Sequence, residues 1–360
     1  MNEVNVDFLG KDSGQGAVAA SIMANGRMEP GALRPFIGTD NKCYITVFKG
    51  GDATKKENYQ TMPIQVNATL RRDEWKQLDD AVLPISRSRL IGVQDLIDNG
   101  LVYNLGNAMG TTVLEYHDMS DAMFADMTMD GVTRSKGDRV EFTSKYLPIP
   151  IIHSDYEINA RVLAMGRNMG NPIDVSSAEA AARKVAEKLE ALLFTDTAYS
   201  FGGGSIYSYV NFPHRNLATL SFGWDASGAT GATIIADVVA MKAVNLAAYH
   251  YGPFMLYIPT AYETVLDGDY DTTRGNTIRE RILQIEGIKG IKTINDLATD
   301  NVLLVQMTSD VVRLVRGMGI QNIQWQTEGT FINKFKVLTI QVPQIRADQA
   351  GKSGIVHASI

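Results

Sequence analysis

Ser176-Ser177-Ala178-Glu179-Ala180-Ala181-Ala182-Arg183-Lys184-Val185-Ala186-Glu187-Lys188-Leu189-Glu190-Ala191-Leu192-Leu193-Phe194 is the clearest helix signal in the chain. Ala178, Ala182, Val185, Leu189 and Leu192 recur at helical spacing along one stripe, while Glu179, Arg183, Lys184, Glu187 and Lys188 mark the opposite face. Ser176 and Glu179 have the spacing of a capping box, with Pro172 and Asp174 just ahead. A helix is therefore predicted from about Ser177 to Phe194, roughly 27 Å long at ~1.5 Å per residue. That length makes it a strut, with Ala182, Val185 and Leu189 as its packing residues. The i,i+4 pairs Glu179–Arg183 and Arg183–Glu187 would each add only about 0.2–0.5 kcal/mol.

Upstream of the strut, Thr111-Thr112-Val113-Leu114-Glu115-Tyr116 has strand chemistry, and Arg139 to Leu147 alternates polar with apolar at period two. Asp130-Gly131 and Arg134-Ser135-Lys136-Gly137-Asp138 between them supply a charged turn, so the two strands read as one long β-hairpin. A two-stranded ribbon is marginal alone in water, so this one is expected to reach a neighbouring chain through its tip, Arg134, Ser135 and Lys136. Further upstream, Trp75, Leu78 and Val82 mark a helix opening at Arg71, and Val93, Leu96, Ile97 and Leu101 mark a second apolar set. The first 70 residues differ. Glycines punctuate them, no helical period survives more than a turn, and the strand-like pieces Cys43–Phe48 and Met62–Val66 are short. Tyr44, Ile45, Val47 and Phe48 are too apolar for a solvated tail, so the segment reads as an arm ordered by lying on something else.

Downstream, Gly202-Gly203-Gly204 reads as a flexible loop, and from Thr230 the pattern becomes α/β. A helix over Thr233–Ala248 is followed by the buried strand Phe254–Ile258, closed by Pro259. Thr260 and Glu263 suggest a capped helix ending near Gly268. Ile278, Ile282 and Ile285 mark another helix, and Asn301–Val305 a strand. Thr308 is read as the cap of a helix over Val311–Val315 stopped by Gly317, before long strands over Gly319–Thr327 and Phe331–Val342.

The chain has 360 residues, 45% hydrophobic and 21% charged, a globular rather than disordered composition with room for about two core-forming units or one core with long excursions. With 34 Lys+Arg against 40 Asp+Glu, the net charge is −6, which gives no basic footprint for gripping nucleic acid. The single Cys43 excludes an internal disulfide and a Cys-rich zinc site. The start, with Glu3 and no apolar run, does not read as a signal peptide, and no apolar run reaches the ~18 residues of a membrane span.

The candidate chemical sites are weak. Gly351-Lys352-Ser353 lacks the leading glycine of a phosphate loop, since Arg346 stands there, and no helix follows. Asp267, Asp269 and Asp271 imitate a calcium loop, but Thr272 replaces its glycine and Ile278 its bidentate acid. Asp118, Asp121, Asp126 and Asp130 lie near His117 without ligand spacing, and the five histidines form no HxxxH pair. No GxSxG elbow is present and Cys43 has no nearby His. Met119, Met123, Met127 and Met129, among 15 methionines, read as adaptable apolar contacts. No catalytic, cofactor or metal site is expected.

The order of these parts resembles the major capsid proteins of tailed bacteriophages, the Hong Kong 97-type capsid fold that encapsulins share. The stretch Ile151-Ile152-His153-Ser154-Asp155-Tyr156-Glu157-Ile158, the strut to Phe194 and the Gly202–Gly204 loop are similar to encapsulin-type shells. Val342-Pro343-Gln344-Ile345 fits the final strand region. The resemblance implies an α+β subunit in six parts: an N-terminal arm (1–70), a joining helical segment (71–110), an extended E-loop hairpin (111–158), a peripheral domain (159–229) with its spine helix at 174–196, an axial α/β domain (230–316) and strands returning to the periphery (317–360). It implies a structural protein, not an enzyme, with no cofactor and no membrane. Such subunits assemble as pentamers and hexamers into an icosahedral virion shell around double-stranded DNA, built in the host cytoplasm.

The 70-residue arm is longer than encapsulins typically carry, which favours a virus over a protein nanocompartment. It also lacks the charged helical texture of a fused scaffold, so a separate scaffolding protein is implied, with portal and decoration proteins as further partners. Some family members cross-link an E-loop Lys to a neighbour's Asn with a buried Glu assisting. Lys136 and Lys145 are the donors available here, without an acceptor motif. A soluble α/β enzyme is the third reading and lacks the polar constellation it would need.

Overall fold

The computed structural model describes residues 34–48, 55–64, 70–106, 108–119, 127, 129, 142–169, 175–270, 275–328, 331–348 and 351–360. In chain order the elements are β1 (Phe36–Ile37), β2 (Cys43–Phe48), β3 (Tyr59–Ile64), α1 (Arg72–Arg89), α2 (Ile91–Asp98), β4 (Val102–Asn104), β5 (Val113–Met119), β6 (Phe142–Pro148), β7 (Ile152–Asn159), α3 (Ala160–Met169) and the strut α4 (Ser176–Phe194). There follow β8 (Tyr199–Phe201), β9 (Gly204–Ile206), β10 (Asn216–Thr219), α5 (Gly231–Ala247), β11 (Phe254–Pro259), α6 (Glu263–Leu266), α7 (Ile278–Leu283), β12 (Ile288–Ile294), β13 (Asn301–Gln306), β14 (Val312–Glu328), β15 (Ile332–Ile345) and β16 (Ile355–Ser359).

Two sheets organise the chain. A five-stranded sheet runs β10-β16-β13-β11-β12, and a four-stranded sheet runs β4-β14-β15-β7. All six residues of β11 are buried, because both faces of its sheet are covered. Phe254, Leu256 and Ile258 point to a core shared with α5 and α7. Met255 and Tyr257 alternate to the other face, onto the end of α4 and onto α2. The four-stranded sheet divides the same way: Phe335 and Val337 of β15 pack with Trp75, Leu78, Ala178 and Ala182. Leu338, Ile340 and Val342 pack instead with Leu147, Ile149 and Ile206 at the base of the ribbon.

The strut joins these cores. Ala178, Ala181, Ala182 and Val185 enter the core of the four-stranded sheet. Ala186, Leu189, Leu192, Leu193 and Phe194 enter the core under the five-stranded sheet. Its N-cap differs from the expected box. Val175 already has helical backbone angles and makes no side-chain cap, so Ser176 begins the helix proper. Its ion pair is Lys184–Glu187 at 2.8 Å, an i,i+3 contact, rather than the i,i+4 pairs of Arg183.

Four other expectations change. The helix predicted over Val311–Val315 is strand. Val312, Leu314 and Val315 are β-branched or apolar and fully buried, and β14 pairs antiparallel with β15 from Val312↔Ile345 onward. Thr260 and Glu263 form no capping box. Thr260 instead donates to Asn295 Oδ1 at 3.0 Å, and a short 3-10 turn over Thr260–Tyr262 precedes α6. The tail does not return wholly to the four-stranded sheet, because β16 lies inside the five-stranded one between β10 and β13. Gly202 and Gly203 (φ 60° and 79°) make the turn of a small hairpin, β8–β9, rather than a free loop.

Candidate assembly surfaces and the spine-helix junction

The arm is anchored at its root. The Arg34 guanidinium donates to both carboxylate oxygens of Asp79 (2.8 and 2.7 Å) and to the Asn322 carbonyl (2.7 Å), and lies over the Trp75 ring at 5.3 Å. Trp75 Nε1 in turn donates to the Pro35 carbonyl at 3.0 Å. Beyond that root β1, β2 and β3 pair with one another in a three-stranded sheet, tied to the body through Ile37 N–H to the Leu70 carbonyl (3.0 Å). At the start of α1, the Glu74 carboxylate accepts from the Arg71 N–H (2.7 Å) and pairs bidentately with Arg167 of α3, both contacts 2.7 Å.

The ribbon forms as expected at its base: β5 and β6 pair from Val113↔Pro148 to Met119↔Phe142. Its tip, Arg134, Ser135 and Lys136, lies outside the described residues, as do Asp121, Asp126 and Asp130. The β8–β9 hairpin sits on this base so closely that a Cβ at Gly204 would fall 2.0 Å from the Tyr146 carbonyl oxygen. Phe142, Tyr146, Tyr199 and Phe201 stand exposed on the two ribbons. On the other lobe, the outward positions of α5 include Ala232, Ala236, Val239, Ala243, Leu246 and Ala247, all exposed and none charged.

Of the spine positions read from the sequence, Ala182, Val185 and Leu189 are all buried, Ala182 and Leu189 with no accessible surface. Glu190, also buried, was hidden in that reading. Its two oxygens accept from the backbone N–H groups of Gly92 (2.5 Å) and Val93 (3.3 Å), the first turn of α2. The N-cap residue of α2 is Leu90, whose side chain cannot accept, so Glu190 supplies the missing cap from the spine helix. The approach is close: a Cβ at Gly92 would meet Phe194 Cε2 at 2.4 Å. Burial pushes the Glu190 carboxyl up to about 7, against those two N–H groups and with Asp296 and Asp95 raising it further. Asp95 is buried as well and raised by desolvation; its ion-pair partner is Lys292 at 3.8 Å. A charged residue four positions after Ala186 and three before Leu193 was the available signal.

The weak chemical candidates lie only partly within the described residues. Asp267 pairs with Arg279 at 2.7 Å, and Asp271 and Thr272 lie outside the described residues. Gly351-Lys352-Ser353 is a turn: Lys352 N–H donates to Asp348 Oδ1 at 2.6 Å, Lys352 Nζ sits over the Tyr249 ring at 4.1 Å, and Ser353 is buried. Among the described residues no three His, Cys, Asp or Glu side chains gather as a metal site, and no helix is long and apolar enough to cross a membrane.

This mixed α+β chain has the Hong Kong 97-type capsid fold. The structure superposes on the virus-like particle from Pyrococcus furiosus with a TM-score of 0.59 at 18% identity, covering 79% of this chain and 99% of that one. It superposes on the capsid of Myoviridae Phage XM1 with a TM-score of 0.53 at 10% identity, covering 73% and 90%. In sequence it is 25% identical over 237 residues to the type 1 encapsulin shell protein EncA of Myxococcus xanthus (strain DK1622), spanning 65% of this chain and 71% of that one. Within this fold the chain belongs to the Family of unknown function (DUF6260), which matches residues 65–358.

Proposed function

We propose that this chain is a shell-forming structural subunit, not an enzyme, and that its shell is a tailed-phage capsid enclosing double-stranded DNA. The fold supports the shell reading, and the observation on this chain that carries it is the outer face of α5. Its exposed stripe of Ala232, Ala236, Val239, Ala243, Leu246 and Ala247 carries no charge, whereas the outer face of a surface helix is ordinarily polar, and within one subunit this stripe is exposed. Copies of the subunit packed around a symmetry axis would cover it, and pentamers and hexamers are the arrangement the fold suits. The arm supports the viral reading, since the family match begins at residue 65 and leaves it outside. A separate scaffolding protein, a portal and decoration proteins are the partners such a shell would need.

An encapsulin-like nanocompartment is the second reading, favoured by the likeness to the Myxococcus shell protein. Electron microscopy and light scattering of the expressed chain, with its scaffold when one is found, test the shell. Rings or closed particles are expected, and a stable monomer overturns the proposal. Nuclease-protected nucleic acid of genome length supports the capsid, whereas particles holding one folded cargo protein and no such DNA support the compartment. Replacing the ribbon tip (Arg134→Gly with Lys136→Gly) is expected to leave the subunit folded and weaken assembly, since small contacts of about 0–1 kcal/mol repeat around a shell. Unchanged assembly at low and high salt removes the tip from the interface.

A further inference from the structure

The junction between the spine helix and α2 sets two buried carboxylates, Glu190 and Asp95, close to the first turn of α2. Glu190 is 4% and Asp95 5% exposed, and both lie among Leu193, Phe194, Tyr209 and Tyr257. The groups that face them can be named element by element. From α2 come the N–H groups of Gly92 and Val93, and Asp98 beside Asp95. Lys292 comes from β12, 3.8 Å from Asp95 Oδ1 and itself half exposed. Asp296 follows β12, Tyr257 comes from β11, and Tyr209 follows β9. Among the described residues, Asp95 Oδ2 and the Tyr209 hydroxyl have no hydrogen-bond partner, while the Tyr257 hydroxyl lies against Asp95 and lowers it. Among the described residues, Lys292 and the positive end of a short helix thus face the two buried carboxylates, with Asp98 beside Asp95 and Asp296 raising Glu190.

We propose that Glu190 is a proton-controlled latch: with one proton on the Glu190–Asp95 pair it pins the first turn of α2 to the end of the spine helix, and full ionisation of the pair loosens that contact. Geometry supports both halves. Protonated, Glu190 keeps an acceptor for the Gly92 N–H, and the close seat of Gly92 on Phe194 stays dry. Ionised beside ionised Asp95, it places two like charges in an apolar pocket, where opening to water relieves both. The device acts within a subunit and does not depend on what the shell encloses.

The sign follows from linkage. The carboxyl holds its proton up to about pH 7 in the closed junction, against an ordinary value of 4.5 when open. Opening therefore grows as pH rises between those values, by about tenfold per unit, and levels off above the upper one.

Hydrogen exchange at the α2 amides of the full chain, corrected for intrinsic rates between pH 5 and 8, tests this. In the native protein the opening constant is expected to rise about fortyfold from pH 5 to 7 and about twofold more by pH 8. Glu190→Gln, which keeps an acceptor without titrating, is expected to abolish the rise, and Asp95→Asn to reduce it. A native junction indifferent to pH, or an equal rise in Glu190→Gln, overturns the proposal. Should Glu190→Gln fail to fold, a carboxyl-carbon titration of Glu190 in the native chain decides: a midpoint near 7 supports the latch and one below 5 overturns it.

Discussion

Ala182 has no accessible surface and faces Trp75, Leu78, Tyr156 and Phe335, while Lys184, two residues on, is exposed and pairs with Glu187. Ala182→Asp would place an unpaired carboxylate in that core and is expected to cost several kcal/mol, or about 2–5 by analogy with other buried polar insertions. Lys184→Ala is expected to stay within about 0.5 kcal/mol of the native protein. Comparable melting of the two variants would mean that the helix faces are assigned wrongly. His357 titrates in the opposite sense to Glu190. Arg215 Nε donates to its Nδ1 at 3.3 Å, so Nε2 carries the proton and donates to Asn301 Oδ1 at 2.6 Å. Burial first, and the Arg215 charge second, hold the imidazole below its ordinary 6.5. Because the folded state takes up that proton less readily than the unfolded one, the contribution is present above about pH 6.5 and is lost as pH falls through the lower folded value. Each unit of depression corresponds to about 1.4 kcal/mol. His357→Gln should therefore flatten the acid side of the melting profile, and an imidazole midpoint at or above 6.5 by NMR would contradict this.

The β8–β9 hairpin and the ribbon meet backbone to backbone at Gly204 and Tyr146. A carbonyl held in the β5–β6 ladder cannot move aside as a side-chain tip can. Gly204→Ala is accordingly expected to destabilise by about 1–3 kcal/mol, the usual range for overpacking, and to speed amide exchange at Tyr146 and Leu147. Unchanged melting and exchange would show that the hairpin rides free of the ribbon. Elements with a strong period were legible in the sequence: α4, α5, β11 and β13 lie where their apolar spacing put them. Val311–Val315 was not, because five apolar-rich residues fit either period and only pairing with β15 decides for strand. β10 and β12 were missed for another reason. Their burial is mixed, and they take their place from β16 and β11, partners distant in sequence. Glu190 was invisible as a cap because the helix that it caps begins 99 residues earlier.

At the scale of the whole molecule the sequence carried the order of its strongly periodic helices and strands but not their contacts. The union of two cores along one helix depends on tertiary packing at Ala186 and Leu193 that no local pattern encodes. Charge, by contrast, is fully legible in the sequence and bears on the shell's relation to its contents. The net charge is −6, and residues 1–70 hold seven of each sign, so cations are interleaved with acids rather than gathered in a stripe. Non-specific DNA binding draws its free energy from clustered cations that displace condensed counterions, losing about 0.9 in log K per log unit of salt for each phosphate neutralised. Without such a stripe, free subunits are expected to bind duplex DNA weakly at physiological salt, with a shallow salt dependence. A capsid built from them would act as a container filled by a separate motor rather than one that condenses DNA onto its wall. A mobility-shift titration of purified subunits against duplex DNA, repeated at about 50 and 200 mM salt, measures both quantities. Tight binding that falls steeply between the two salts would mean that assembly or folding gathers the dispersed cations into a groove, and the container picture would give way to one in which the shell holds its genome directly.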